Sequence, residues 1–172
     1  MPVNIEIKAR VEDLGFLRER VQAIASGEAS ILRQEDTFFK VPSGRLKLRV
    51  IDASQAELIY YDRDDATGPT RSEYLISPVG DPDALKAVLS VALGVRGVVR
   101  KKRELFMIGR TRVHLDDVEG LGPFMELEVV LAPEESPEAG QAEAQKLLEA
   151  LSIQSGDLVD KAYIDLLSSG HA

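Results

Sequence analysis

Val3-Asn4-Ile5-Glu6-Ile7-Lys8-Ala9-Arg10-Val11 alternates without a break. Val3, Ile5, Ile7, Ala9 and Val11 share one face. Asn4, Glu6, Lys8 and Arg10 share the other, which is the period-two pattern of a β-strand with two unlike faces. Taken alone, such a strand reads most simply as having one dry face and one wet face. The same alternation recurs in Leu46-Lys47-Leu48-Arg49-Val50, in Met125-Glu126-Leu127-Glu128-Val129 and in Val113-His114-Leu115-Asp116. Lys101 and Arg103 stand two apart in a further β-like run. Repetition changes the reading: charged side chains gather on one face of several strands, and the fold turns on whether that face looks in or out.

Working outward, turn and cap signals divide the chain into about eight strands and four helices. Glu12-Asp13 opens a helix that ends at Ser26-Gly27. Strands follow over Ile31–Val41, Arg45–Asp52, Ala56–Arg63 and Thr70–Val79. Asp81-Pro82 and Ser136-Pro137 each place a capping side chain before a proline at the first helical position, and the helices they start end at Gly94 and near Leu151. Between them lie strands over Gly97–Ile108, Arg110–Val118 and Phe124–Leu131. Apolar spacing predicts a closing helix over Asp157–Leu167. No internal repeat or low-complexity segment interrupts this α+β order, and residues 1–172 read as a single domain.

The chain has 172 residues, 44% of them hydrophobic, enough for one sizeable core. No stretch approaches the apolar length of a membrane span, and no secretory signal is visible at Met1-Pro2-Val3-Asn4, so a cytoplasmic protein without a membrane partner is expected. The absence of cysteine removes disulfides, zinc–thiolate sites and thiol nucleophiles. A net charge of −8 argues against nucleic acid as a partner. The run Arg100-Lys101-Lys102-Arg103 does not reverse this, because a strand sends alternate residues to opposite faces.

Eight antiparallel strands are enough to close a barrel, and the helices need apolar surface to pack on. If the outer strand faces supply that surface, the charged faces line the interior, where unpaired charge is too costly and must meet counter-charges, water or a ligand. An open sheet with helices on one face satisfies the same pattern. The candidate interior holds Lys8, Arg10, Lys47, Arg49, Arg71, Lys101 and Arg103 with Glu6, Glu73, Asp116, Glu126 and Glu128. Cations of this kind suit linked phosphates. Carboxylates among them suit a divalent metal held together with substrate phosphates. A salt-bridge network on a solvated sheet face is the competing reading.

The same residues carry a family resemblance. Asn4-Ile5-Glu6-Ile7-Lys8, Asp36-Thr37-Phe38-Phe39, Gly44-Arg45-Leu46-Lys47-Leu48-Arg49, Leu58-Ile59-Tyr60-Tyr61, Arg71-Ser72-Glu73-Tyr74, Lys101-Lys102-Arg103, Leu115-Asp116, Leu121-Gly122, Glu126-Leu127-Glu128 and Lys161 to Leu167 fall in order along nearly the whole chain. Together they resemble the CYTH, or triphosphate tunnel, superfamily, which contains class IV adenylyl cyclases, thiamine triphosphatases and tripolyphosphatases. The likeness is strongest to the bacterial class IV cyclase branch. It implies an eight-stranded antiparallel β-barrel with flanking helices, a nucleotide or other triphosphate as substrate, and Mg²⁺ or Mn²⁺ as cofactor. On this resemblance Lys8, Lys47, Arg49, Arg71, Lys101 and Arg103 hold phosphate oxygens. Glu6, Glu126, Glu128 and Asp116 hold the metal, and Glu6, Lys8 and Asp116 serve catalysis. Cyclisation of ATP leads, with hydrolysis of tripolyphosphate or thiamine triphosphate, or binding without turnover, as alternatives.

Two positions depart from the family pattern. Asn4 replaces the first Glu of E-x-E-x-K, and Asp62 stands where relatives often carry a basic residue, with Arg63 beside it. His114 reads as a hydrogen-bonded wall residue in preference to an acid or base, and the Tyr163 helix as packing. Gly120-Leu121-Gly122 lacks the Lys and following helix of a phosphate loop. A homodimer stays open.

Overall fold

The structure is a computed structural model and describes residues 1–169. His171, which the sequence leaves without a role, lies outside the described residues. The strands are β1 (Val3–Arg10), β2 (Ser30–Phe39), β3 (Arg45–Ile51), β4 (Gln55–Arg63), β5 (Thr70–Pro78), β6 (Val95–Ile108), β7 (Thr111–Val118) and β8 (Gly122–Val130). They close into one barrel in the order β1-β5-β4-β3-β2-β6-β7-β8, every pair antiparallel. Four helices flank it: α1 (Leu14–Ile24), α2 (Pro82–Leu93), α3 (Pro137–Ala150) and α4 (Tyr163–Ser168). Among the described residues no helix is long and apolar enough to cross a membrane.

β1 is buried on both faces, so its polarity alternates while its burial does not: Ile7 is 2% exposed and Lys8 5%. Outward-facing Ile7 and Ala9 join Leu17 and Val21 of α1, Leu148 of α3, and Phe106, Val113, Leu115, Met125 and Leu127 from β6, β7 and β8 in one apolar cluster. On the opposite wall Phe39, Leu48 and Ala56 pack under Leu85 and Leu89 of α2. The helices therefore take the apolar outer faces of the strands, and the charged faces turn inward. Asp13 caps α1 by accepting from the Phe16 N–H at 3.0 Å, and Asp81 caps α2 through the Ala84 N–H at 3.0 Å. α3 lies close against the sheet because Gly140 has no side chain. A Cβ there would stand 2.7 Å from Ile5 Cγ1 and 2.7 Å from Leu131 Cδ2.

The closing segment differs from the helix expected over Asp157–Leu167. A 3₁₀ turn at Ser155–Asp157 is followed by extended chain, and α4 begins only at Tyr163. Leu158 makes an antiparallel bridge with Ala9, and the Val159 N–H donates to the Lys8 carbonyl at 2.9 Å. Sheet pairing with β1 overrides the helical spacing of the apolar residues. Ala162, Tyr163, Ile164 and Leu166 then pack with Phe38, Val99, Val118 and Phe124, forming a floor across one end of the barrel. Asp165 fastens this floor, accepting from Arg45 at 2.8 Å and also from Arg96.

Filling the Gly140 contact should push α3 off β1. Gly140→Val is expected to lower stability by about 1–3 kcal/mol, the usual cost of overpacking a close-packed interface. Urea unfolding followed by circular dichroism measures this; an unchanged midpoint would show that Ile5 and Leu131 make room.

Candidate functional site

Inside the barrel lies a cavity of about 400 Å³. Glu6, Lys8, Lys47, Arg49, Lys101, Arg103, Glu126 and Glu128 all line it. These residues come in pairs from four strands, β1, β3, β6 and β8, and period-two phase brings them to one space. The register explains the neighbours: Lys8 stands opposite Glu126, Glu6 opposite Glu128, and Asp36 opposite Arg49.

The wall formed by β2, β3 and β6 is cationic around one acid. Asp36, 1% exposed, accepts from Arg49 Nε at 2.8 Å and Nη2 at 2.7 Å, with Lys47 Nζ at 3.2 Å and Lys101 Nζ at 3.6 Å. Burial pushes the Asp36 carboxyl up, but Arg49, Lys47 and Lys101 together outweigh this and hold it well below the usual carboxylate range. Lys101 is itself pushed down to about 7 by burial and by Arg103, against the pull of Asp36.

The facing wall, from β1, β7 and β8, is acidic. Glu126 receives Lys8 at 3.3 Å and Arg103 at 3.0 Å. These cations overcome its burial and keep it well below the usual range. Glu6 is the contrary case: burial and then Glu128 push it up to about 7, and Arg63, with Nη1 3.5 Å from Glu6 Oε2, only partly offsets them. His114 Nδ1 is 3.7 Å from Glu126 Oε2 and 4.0 Å from Glu128 Oε1. Ligand atoms of His114, Glu126 and Glu128 all lie within 4.8 Å of one another, and His114 Nδ1 is buried with no hydrogen-bond partner. Two carboxylates and a free imidazole nitrogen are donors a divalent cation accepts, so this cluster is able to hold one.

Toward the end away from α4 apolar side chains enter the lining on four strands, alongside Glu57 of β4 and Arg112 of β7. The last inward residues there are Leu32 on β2, Ile51 on β3, Ile76 on β5 and Leu105 on β6. The tunnel thus has an aromatic floor, a charged belt and a partly apolar collar.

Several residues lie elsewhere than the sequence implied. Arg71 is on the outer face of β5, its side chain 55% exposed and paired with Glu73 at 2.6 Å. Ser72, Tyr74 and Ile76 are the residues that β5 turns inward. The patterning candidates Arg10 and Glu73 are likewise outside the lining. Asp116 is fully buried, but both its oxygens are engaged: Arg103 donates to them at 2.7 and 2.6 Å, and the Tyr163 hydroxyl at 2.8 Å. It stands apart from the His114/Glu126/Glu128 cluster and braces Arg103. Glu6 lies on the cavity beside Glu128 but outside the cluster. His114, read as a wall residue, is one of the three cluster members.

Asp62 points outward, so its acidic side chain does not displace a basic one from the tunnel. Arg63 is the residue β4 sends in, and its Nε and Nη2 are buried without partners. Arg112 also lines the mouth, 3.7 Å from Glu128. Sequence reasoning missed Arg63 because Leu58-Ile59-Tyr60-Tyr61 does not alternate in polarity and leaves the phase of β4 open. Asn4 lines the cavity opposite Ser72, and its Oδ1 is buried without a partner.

With this geometry in hand, comparison with known proteins is decisive. The CYTH domain matches residues 3–163. The chain belongs to the CYTH family. A Methanocaldococcus jannaschii protein named as a candidate adenylate cyclase is 25% identical over 173 residues, covering 95% of this chain and 98% of that protein. A solved structure from Pyrococcus horikoshii superposes with a TM-score of 0.83 at 25% identity, covering 95% of this chain and 98% of that one. A Hippeastrum protein, named as a candidate adenylyl cyclase with a dominant triphosphatase activity, superposes with a TM-score of 0.71 at 15% identity, covering 100% and 97%. That last likeness speaks to fold alone. This CYTH chain is therefore a triphosphate-tunnel protein with a His/Glu/Glu cluster in the tunnel wall.

Three variants exploit the placement. Removing Asp36 strands three buried cations, so Asp36→Asn should cost roughly 3–5 kcal/mol at pH 7. Its folded pKa is depressed, so the lost stability is present above the unfolded carboxyl value of about 3.9 and fades as pH falls below it. Urea titrations of both proteins at pH 7 and in acid should show the gap closing; a gap independent of pH would remove the charge explanation. Arg63→Ala should weaken binding of tripolyphosphate about tenfold or more, as for a charge-assisted contact, while Arg71→Ala leaves it unchanged. Calorimetry that ranks them the other way would reverse the assignment of β5 and β4.

Proposed function

We propose that this protein acts on an organic triphosphate held in the tunnel, with nucleotide cyclisation, ATP to cyclic AMP and pyrophosphate, as the reading the site supports best. One observation carries it: an inward belt of Lys8, Lys47, Arg49, Arg63, Lys101, Arg103 and Arg112 rings the tunnel around a three-donor cluster on β7 and β8, under a partly apolar collar that includes Leu32, Ile51, Ile76 and Leu105. The belt suits linked phosphates, and the collar suits a moiety that is not phosphate. The relative from Methanocaldococcus jannaschii, named as a candidate adenylate cyclase, supports the same assignment.

In this reading Arg49, Arg63 and Arg103 grip phosphate oxygens with guanidinium forks, while Lys8, Lys47 and Lys101 act as point charges. His114, Glu126 and Glu128 would hold Mg²⁺ or Mn²⁺, which when bound would neutralise charge developing on the phosphate oxygens. The chain supplies positioning and electrostatic stabilisation; no covalent nucleophile is required. The ribose 3′-oxygen forms a bond to the α-phosphorus, the bond from that phosphorus to the bridging oxygen breaks, pyrophosphate leaves and the hydroxyl proton passes to water. Arg103 is locked between Asp116 and Glu126 before substrate arrives, so its guanidinium is pre-set.

Hydrolysis of the terminal phosphate is the second reading. It is favoured by the belt, which grips a triphosphate whichever phosphorus reacts. Incubation with ATP, tripolyphosphate and thiamine triphosphate under Mg²⁺ or Mn²⁺ separates the readings. Cyclic AMP with pyrophosphate is expected; orthophosphate instead establishes hydrolysis, and binding without turnover makes the protein a non-catalytic binder of phosphorylated ligands. Glu126→Gln with Glu128→Gln removes charge at nearly constant shape and should abolish divalent-dependent turnover while far-UV circular dichroism stays native. Undiminished turnover in that double variant would place the cation elsewhere.

A further inference from the structure

We propose that Tyr163, at the start of α4, is a positioning residue for the tunnel cations: its ring face sets the ammonium groups of Lys8 and Lys101, and its hydroxyl, through Asp116, sets the guanidinium of Arg103. The inference rests on the reading of the tunnel as a triphosphate site and adds a role that neither the strands nor the metal cluster supply.

Lys8 Nζ lies 4.0 Å from the centroid of the Tyr163 ring, and Lys101 Nζ lies 5.1 Å from it. The two lysines come from β1 and β6, which are not neighbours in the barrel. One buried aromatic ring is therefore shared by two cations from separate parts of the wall. A desolvated ammonium gains most from an aromatic face, and Lys8 and Lys101 are 5% and 7% exposed. The ring is itself fixed. Phe124 packs against it edge-on at 5.1 Å, and its hydroxyl donates to Asp116 Oδ2 at 2.8 Å. Asp116 receives Arg103 through two bonds, so the same phenol braces a third cation.

The segment before α4 completes the arrangement. Lys8 Nζ donates to the Lys161 carbonyl at 3.1 Å, two residues before the ring that it faces. A floor needed only for closure could be built from any apolar side chain. Phe38, Val99 and Phe124 already provide such surface. What Tyr163 adds is a π system beside the cations and a hydroxyl on Asp116, the carboxylate that receives Arg103 through two bonds.

The test uses the full chain with two substitutions, Tyr163→Phe, which keeps the ring, and Tyr163→Met, which keeps bulk without a π face. The first probe is the lysine ε-methylene signals in a carbon–proton spectrum. Those of Lys8 should be shifted upfield by the ring in the wild type and in Tyr163→Phe, and should return to ordinary values in Tyr163→Met. The second probe is tripolyphosphate without divalent cation, followed by calorimetry. Tyr163→Met should bind about tenfold or more weakly and Tyr163→Phe about threefold more weakly than wild type, because the latter keeps the cation–π contacts and loses only the hydroxyl's hold on Asp116.

Wild-type signals without the upfield shift overturn the proposal, even if Tyr163→Met fails to fold. Met binding as tightly as wild type overturns it too, as does Phe losing as much as Met. A wild type that binds no tripolyphosphate overturns the triphosphate reading, and the positioning role with it. Wild-type binding with an unaffected Met variant overturns the positioning role alone.

Discussion

A charge taken out of water must meet an opposite charge, and the interior of this barrel is built around that cost. Asp36 is the clearest instance. Alone it would be expelled or protonated, and without it Lys47, Arg49 and Lys101 would repel one another across the space where the strands converge. With it, the β2, β3 and β6 faces can all point inward. A second centre on the other wall does the same with the signs exchanged: Arg103 sits between Asp116 and Glu126, and Lys8 completes the group. β6 belongs to both centres. Two of its residues, one period apart, serve opposite walls, Lys101 reaching Asp36 and Arg103 reaching Asp116 and Glu126.

The helices follow from this inversion. Because the inner face is spent on charge, the apolar stripes of β1, β7 and β8 look outward and need cover. α1 and α3 supply it, while α2 covers the other side through Leu85 and Leu89. In an ordinary two-layer protein the helix stripes and the strand interior form one core. Here the core is a sleeve between barrel wall and helices, with a second apolar cluster confined to the floor where α4 enters.

Much of this was legible in the sequence, because alternation in β1, β3 and β8 sorts residues into two sets whatever the tertiary fold. What alternation cannot do is set the phase of a strand in which both sets are polar or both apolar. Arg71-Ser72-Glu73-Tyr74 has its charges on the outward set, since β5 offers the tunnel Ser72 and Tyr74 instead. Leu58-Ile59-Tyr60-Tyr61 conceals that Arg63 points in. Asp116 and His114 share a phase, yet two residues along β7 move a side chain from the floor, where Tyr163 and Arg103 consume its acceptors, to the belt, where His114 Nδ1 stays free. Depth along the tunnel is a property of barrel closure and is carried by no local pattern. The floor shows the same limit: helical spacing after Asp157 is real, but pairing of Leu158 with Ala9 is stronger.

The internal pairing also constrains what the tunnel can select. Each belt cation that a phosphate would use, apart from the free nitrogens of Arg63, already has a partner among Asp36, Asp116, Glu6, Glu126 and Glu128 or an aromatic face. A single phosphate group would therefore trade one anion for another and gain little, since the displaced carboxylate remains buried and unpaired. A chain of phosphates reaches several cations at once and spreads that loss. A cation on Glu126 and Glu128 would satisfy the carboxylates from which Lys8 and Arg103 must be drawn. Acids and bases in one cavity are thus not in conflict: the carboxylates offset the buried cations, and a phosphate ligand would have to carry enough charge to replace several of them at once.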